Sequence, residues 1–323
     1  MLTVPFADAR LTVSPLALGA VNYGTTTDEK SAFRQMDAYR EVGNLIDTAH
    51  VYGRWGDSGD SASELLIGKW LKSRGMRGRV VISTKGGHPP LTGAFIPRLR
   101  RAEIEKDLNE SLSHLGLDVV DLYFLHRDDE SIPVGEILDT MERLRADGKI
   151  RHYGVSNWKL PRIREAESFA REHGMEGFCV NQLKWSLARV NADRVEDRTL
   201  VNMDAETYRY HARSQMGAMA YTSIAKGYFA HRAAGTPVRE KARAIYDSPE
   251  NEKILASLVA LSRESGLSVS ELSMSYFLNS PFPAVAIASF SNDRQTEEGL
   301  SVLRRAPDAE IVRRVQALRD DLR

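Results

Sequence analysis

A closed (β/α)8 barrel of the TIM type, in the α/β class, is the fold this sequence predicts, and three observations predict it. Short apolar runs alternate with longer amphipathic, charged stretches, the pattern of strand-helix units around a parallel sheet. Eight such strands can be counted, the number a barrel needs. No Gly-rich G-x-G-x-x-G turn follows the first strand, where Leu18-Gly-Ala-Val-Asn-Tyr-Gly24 stands instead, which speaks against an open dinucleotide-binding sheet.

In chain order the strands are expected at 16–19, 44–47, 79–84, 120–126, 151–155, 177–181, 217–221 and 284–288. Helical patterns fall between them at 28–42, 61–74, 101–115, 135–147, 159–173, 204–214, 270–279 and 293–305, with more at 250–264 and 308–321. Ser61 with Glu64 reads as a capping box, and Gly75, Gly116, Gly148 and Gly174 sit where helices should stop. Segments 183–203 and 226–249 are too long for plain connections and follow strand ends, so they are expected over the barrel mouth with the 86–100 loop. Without repeats or linkers, the 323 residues are read as one domain, 1–323.

Composition narrows the function. Forty-four basic and 44 acidic residues cancel to zero formal charge, so neither nucleic acid nor an anionic membrane is an expected partner. No apolar stretch is long enough to span a bilayer. The lone Cys179, in the apolar run Gly-Phe-Cys-Val, reads as a buried strand residue in a reducing compartment, and the expected location is the cytoplasm.

In a barrel, polar residues at the carboxyl ends of the strands share one cavity. The second strand ends in Asp47, with Tyr52 beyond it; the third ends in Lys85, the fourth in His126. Any one of these alone reads as packing or surface charge. Four of them on consecutive units, three ending apolar strands, point to catalysis. A free phenol has a pKa of about 10, and a nearby ammonium lowers it by favouring phenolate. Lys85, held by Asp47, would thus tune Tyr52 to exchange a proton with a carbonyl or alcohol oxygen that His126 hydrogen-bonds. The four form neither an evident nucleophile nor a metal set.

The later strand ends suggest a source of electrons. Ser156, Asn157 and Gln182 offer amide and hydroxyl groups for a carboxamide, and Tyr221 offers a flat face for a nicotinamide ring. After the last strand, Asn292 is the expected cap of a helix whose N-terminus suits a phosphate.

These residues sit in a wider set of motifs: Leu18-Gly19, Ile-Asp-Thr-Ala-x-x-Tyr-Gly at 46–53, Ser-Glu-x-x-x-Gly at 63–68, Ser-Thr-Lys at 83–85, Asp-Leu-Tyr-x-Leu-His-Arg at 121–127, Gly-Lys-Ile-Arg at 148–151 and Gly-Val-Ser-Asn at 154–157. With them the chain resembles an aldo-keto reductase over nearly its whole length. The resemblance implies a catalytic tetrad of Asp47, Tyr52, Lys85 and His126, with Tyr52 as general acid. It implies metal-free hydride transfer between NADP(H) and a small carbonyl or alcohol substrate: an aldehyde, ketone or sugar. It also implies that Ser156, Asn157 and Gln182 hold the carboxamide, that Tyr221 stacks on the nicotinamide, and that Thr222, Ser223 and Lys226 follow the pyrophosphate.

The adenosine end is expected at Ser289, Ser291, Arg294, Gln295 and Glu298. Members that favour NADPH commonly place a cation just after the last strand and an arginine one turn into the next helix. Ser289 and Gln295 stand there instead, with Arg294 adjacent, so NAD(H) stays open beside NADP(H). The loop from Arg54 to Ala62 is longer than usual for the family, and Trp55 either walls the substrate pocket or anchors that loop. Substrate choice is expected to fall on Trp55, the 86–100 loop, Trp158, Trp185 and the 226–249 lid. Two other readings share the fold: a cofactor-binding sensor or subunit, and a non-redox lyase or epimerase.

Overall fold

The computed structural model describes residues 2–7, 10–56, 59–305 and 307–322. A short antiparallel hairpin opens it, β1 (Val4–Phe6) paired with β2 (Leu11–Val13). Then come β3 (Leu16–Gly19), α1 (Glu29–Tyr39), β4 (Leu45–Asp47), α2 (Ala62–Arg74), β5 (Val81–Gly86), α3 (Arg101–Leu115), β6 (Val120–Leu125), α4 (Val134–Ala146), β7 (Ile150–Ser156), α5 (Leu160–Glu172), β8 (Val180–Lys184), α6 (Ala205–Ser214) and β9 (Gly217–Tyr221). The remainder is α7 (Tyr228–Ala233), α8 (Glu240–Tyr246), α9 (Pro249–Ser265), α10 (Val269–Ser275), β10 (Ala284–Ala288), α11 (Asp293–Arg304) and α12 (Ala309–Ala317). Strands β3 to β10 close into a parallel barrel in which β10 returns to pair with both β9 and β3.

Each expected strand is present, shifted by a few residues at most. The hairpin, α7 and α8 lie outside the sequence reading, because three-residue strands and helices of about two turns carry too little periodicity to register. The hairpin has a clear use: Phe6, Leu11 and Val13 pack against Ala17, Leu45, Leu122, Phe124, Val180, Met219 and Val285, closing the bottom of the barrel. The alternate strand residues Leu16, Leu18, Ile46, Ile82, Tyr123 and Leu125 face outward into the second core beneath the helices. In α3 the buried residues Ile104, Leu108, Ser111 and Leu115 recur every three or four positions, and left-handed Gly116 (φ 62°) ends the helix.

The Ser-Glu-x-x-x-Gly motif has its reason in packing between α2 and α3. A Cβ on Gly68 would lie 2.2 Å from the His114 carbonyl oxygen, so no larger residue fits between these helices as they stand. The expected capping box at its start does not form. Ser61 is the N-cap residue of α2, but its hydroxyl donates to the His50 carbonyl. Glu64 turns inward, accepting from Thr84 and lying 3.0 Å from His114 Nδ1. Burying that carboxylate between barrel and helix favours side-chain partners over the helix backbone.

Candidate active site

Strand parity positions the candidate catalytic groups. On β4 the side chains of Leu45 and Asp47 point into the barrel, and on β5 so do those of Val81, Ser83 and Lys85; the last turn of each strand rises above the apolar plug. Lys85 Nζ lies 2.7 Å from Asp47 Oδ2 and donates to the Thr48 carbonyl at 2.6 Å. Both side chains are sealed from solvent. A buried ion pair survives desolvation only when its remaining valences are satisfied. Here Ser83 Oγ (2.8 Å) and Gln182 Nε2 (3.0 Å) both donate to Asp47 Oδ1.

The turn after β4 delivers Tyr52. Its backbone is stitched to β5 by Thr48 N to Ser83 O and His50 N to Lys85 O, both 2.9 Å. The His50 ring is fixed to Glu110, 2.7 Å from Nε2 to Oε2. So held, the Tyr52 hydroxyl lies 3.4 Å from Lys85 Nζ, and Nζ lies 4.8 Å from the ring centre. His126, just past β6, sets its ring edge-on to Tyr52 with centres 5.9 Å apart, and 4.7 Å from His88. The four residues expected to act together thus meet at one point.

Their electrostatics differ from the expectation in one respect. Burial raises the Tyr52 pKa more than the Lys85 ammonium lowers it, so the phenol sits above its ordinary value rather than below it. Burial would lower Lys85, but Asp47 and Tyr52 more than offset this and hold it charged. His126 is pushed well below 6.5 by burial and by the neighbouring His88, Arg127 and Lys85, which keeps the ring neutral. The constellation is a protonated phenol, a fixed cation and a neutral imidazole carrying one N–H.

A cavity of about 1290 Å³ opens above them. Pockets for one drug-sized ligand run to roughly 300–1,000 Å³, so this one has room for more than a single small molecule. From Asp47, Tyr52 and His126 it passes Ser156, Asn157, Gln182 and Tyr221, then the Thr222–Ser223–Lys226 turn, and ends beside Ser289, Ser291, Arg294, Gln295 and Glu298. All the residues expected to hold a cofactor line this one groove. Several are already tied. Tyr221 donates its hydroxyl to Asn157 Oδ1 (2.6 Å), Asn157 Nδ2 donates to Ser156 Oγ (3.0 Å), and Ser289 Oγ donates to the Gly19 carbonyl (2.8 Å). Gln295 Oε1 accepts from Ser291 N, and Asn292 caps α11 through the Gln295 N–H, both at 2.9 Å. Asn157 adopts a left-handed φ of 61°, a strained conformation of the kind that collects at functional sites.

Of the expected substrate-wall residues, Trp55, His88 and Leu91 line the cavity, with eight residues of the lid from Gly227 to Arg239. Trp55 is half exposed and meets the Tyr52 ring edge at 6.1 Å; its neighbours Asp57 and Ser58 lie outside the described residues. Trp158 and Trp185 do not line it. Both are fully buried, Trp158 against Phe178 and Trp185 among Tyr208, Tyr276, Phe277 and Phe282, where their large faces find apolar cover outside the barrel.

Some contributors escape the sequence reading. Arg127 lines the cavity beside His126, held by Asp197 (3.2 Å) and Thr199 (2.9 Å), so its guanidinium ties the 183–203 segment to the site, as does Val201 N, which donates to Asn157 Oδ1 at 3.2 Å. Its position next to His126 in the motif was the available signal. Cys179 immediately precedes β8 and is partly exposed, its thiol pushed up to about 12 chiefly by burial. Among the described residues no group of His, Cys, Asp and Glu is placed to hold a metal ion, and no helix is long and apolar enough to cross a membrane.

Comparison with known proteins agrees with this geometry. Over residues 15–320 the chain matches the model of the aldo/keto reductase family. It is 29% identical over 314 residues to the uncharacterized oxidoreductase YrpG of Bacillus subtilis, covering 94% of this chain and 91% of that protein. It is 27% identical over 297 residues to norsolorinic acid reductase B of Dothistroma septosporum, covering 84% and 69%. With an aryl-alcohol dehydrogenase [NADP(+)] of Phanerodontia chrysosporium it shares 28% over 202 residues, 57% of this chain and about half of that protein (51%). A closed eight-stranded barrel, a Lys-Asp pair at its mouth and a match along almost the entire chain have one meaning: this protein belongs to the aldo/keto reductase family.

Proposed function

We propose that the protein is an NADP(H)-dependent carbonyl reductase in which Tyr52 is the proton donor. The observation that carries the reading is the sealed Lys85–Asp47 pair with the Tyr52 hydroxyl 3.4 Å from the ammonium, beneath a groove of about 1290 Å³ that runs on to Ser289 and Arg294. Tyr221 would stack on a nicotinamide ring and Ser156, Asn157 and Gln182 would hold its carboxamide, and a cofactor so held would supply or accept the hydride. The protein's part is the proton. A phenol whose pKa is raised by burial keeps its proton at neutral pH, the form needed to protonate a carbonyl oxygen as that oxygen gains negative charge. Lys85 then stabilises the phenolate left behind, and neutral His126 hydrogen-bonds the same substrate oxygen. The raised pKa favours reduction; alcohol oxidation would need Tyr52 to start as phenolate.

Arg294, near the start of α11, is the cation offered to a 2′-phosphate, and it supports NADP(H) over NAD(H). The substrate end, walled by Trp55, Tyr52, His88, His126 and Leu91, is aromatic and apolar. With relatives named for aryl alcohols and norsolorinic acid, it suits an aryl aldehyde or ketone. We take the protein to act as one unit in the cytoplasm.

The test is Tyr52→Phe. Cofactor affinity, read by fluorescence titration with NADPH and NADH, should change little, while carbonyl reduction across a panel should fall about 10²- to 10⁴-fold. Turnover at the wild-type rate would remove Tyr52 from the role. Tight cofactor binding by the wild-type protein with no turnover on any carbonyl would refute the enzymatic reading.

A further inference from the structure

Two carboxylates one turn apart on α3, Asp107 and Glu110, reach the loops that wall the substrate end of the cavity, and the chemistry so far uses neither. Asp107 is only 2% exposed, and a carboxylate so placed is tolerated only with partners for its oxygens. Its Oδ2 accepts from Gly87 N at 2.8 Å, and Arg98 closes on it with Nη2 3.0 Å from Oδ1 and Nη1 3.3 Å from Oδ2. The same Nη1 donates to the His88 carbonyl at 3.1 Å, so Asp107 fixes the start of the 86–100 loop both directly and through Arg98. Gly86 allows this approach, because a Cβ there would meet the Tyr123 hydroxyl and lie 3.0 Å from Asp107 Cβ. His88 is thereby held with its ring centre 4.7 Å from that of His126, and both residues line the cavity.

Glu110 does the same for the other loop. Its Oε2 lies 2.7 Å from His50 Nε2 and 3.5 Å from Arg54 Nη2. His50 is 4% exposed, stacked on the His114 ring at 6.1 Å, with its Nδ1 3.8 Å from Asp107 Oδ1, so one imidazole stands between the two acids. His50 and Arg54 bracket Tyr52 in the chain, and Trp55 follows directly. Acids on a helix surface usually pair along the helix, as Glu105 does with Arg101 at 2.6 Å. Glu110 has such a partner in Lys106, but at 3.9 Å, and its close contact is His50. We infer that Asp107 and Glu110 are positioning residues of the candidate active site: acting through Arg98 and His50, they hang His88 and Tyr52 from one helix and fix both around His126. For its kinetic consequence this rests on the proposed reaction; the positioning itself rests on the contacts alone.

Carbonyl kinetics and native-state proteolysis of the full-length protein test it together. Asp107→Asn should raise KM for aryl carbonyls about 10-fold at nearly unchanged kcat, because the wall carrying His88 loosens, whereas Glu110→Ala should lower kcat about 10- to 100-fold at nearly unchanged KM, because a misplacement of Tyr52 by about 1 Å is enough for that loss. Glu110→Gln should recover kcat, since its amide oxygen still accepts from His50. NADPH affinity should match wild type in all three variants, because neither acid holds a residue expected to bind the cofactor. The Glu110 side chain is 34% exposed, so its variants keep the test open should Asp107→Asn fail to fold. Brief chymotrypsin treatment should cut after the exposed Phe95 several-fold faster in Asp107→Asn than in wild type, and trypsin after Arg54 several-fold faster in Glu110→Ala. A lowered melting temperature with kinetic constants and cleavage rates at wild-type values would mark acids that only stabilise the fold, and overturns the inference; so does a Glu110→Gln protein as impaired as Glu110→Ala. Should the wild-type protein turn over no carbonyl, the cleavage pattern decides: loosening confined to the loop each acid holds keeps the positioning and refutes only the proposed reaction, and uniform cleavage overturns both.

Discussion

Replacing Lys85 by methionine separates what the buried ion pair does for the fold from what it does for chemistry. Methionine fills a similar volume, so little cavity is created. What changes is that Asp47, 2% exposed, keeps its hydrogen bonds from Ser83 and Gln182 but loses its cation. Removing one partner of a buried pair costs about 3–5 kcal/mol, a large share of the roughly 5–15 kcal/mol that holds a domain folded. Adding Asp47→Asn should return much of that loss. The asparagine oxygen still accepts from Ser83 and Gln182, and no uncompensated charge remains. A coupling of about 2–3 kcal/mol between the two sites is expected, from urea unfolding of both single variants, the double variant and wild type. Activity should behave differently: the double variant regains stability but stays about 10²-fold or more below wild type, because no ammonium remains to stabilise the Tyr52 phenolate. A Lys85→Met protein as stable as wild type, or a double variant no more stable than the single, would refute the reasoning.

Three further outcomes follow from the geometry. His211 is buried and neutral, its pKa lowered to about 4 by burial against a partly opposing hydrogen bond that its Nδ1 donates to the Met216 carbonyl. The unfolded chain therefore takes up the proton first. The stability from this group is complete above about pH 6.5 and declines toward pH 4 by about 1.4 kcal/mol per unit; His211→Gln should flatten that acid limb in urea midpoints, and an unchanged limb assigns the loss elsewhere. Gly68→Ala should destabilise by about 1–3 kcal/mol although alanine is the better helix former by about 1 kcal/mol, because its Cβ meets the His114 carbonyl; calorimetry showing a rise in Tm would contradict this. Trp55→Ala should raise KM for aryl carbonyls several-fold while moving stability by no more than about 0.5 kcal/mol; an unchanged KM across the panel would make Trp55 a loop anchor.

Where sequence and structure diverge, the reason is contact at a distance. Trp158 and Trp185 follow strand ends just as Trp55 follows Tyr52, yet Phe178 holds one and the cluster around Phe282 the other, on the far side of the barrel wall. Ser61 and Glu64 have the spacing of a capping box, but Thr84 and His114, 20 and 50 residues from Glu64, take its carboxylate. In neither case does the local spacing record the competing partner.

The sequence by itself determined the barrel, because the alternation of apolar runs with amphipathic stretches is a local signal repeated eight times. It also determined that Asp47, Tyr52, Lys85 and His126 meet at one end of the barrel, because in a parallel barrel every strand end opens on the same side. Only the tertiary structure decided the state of those groups. The direction of the Tyr52 shift depends on burial outweighing a single ammonium, and burial is the sum of side chains brought in from every strand.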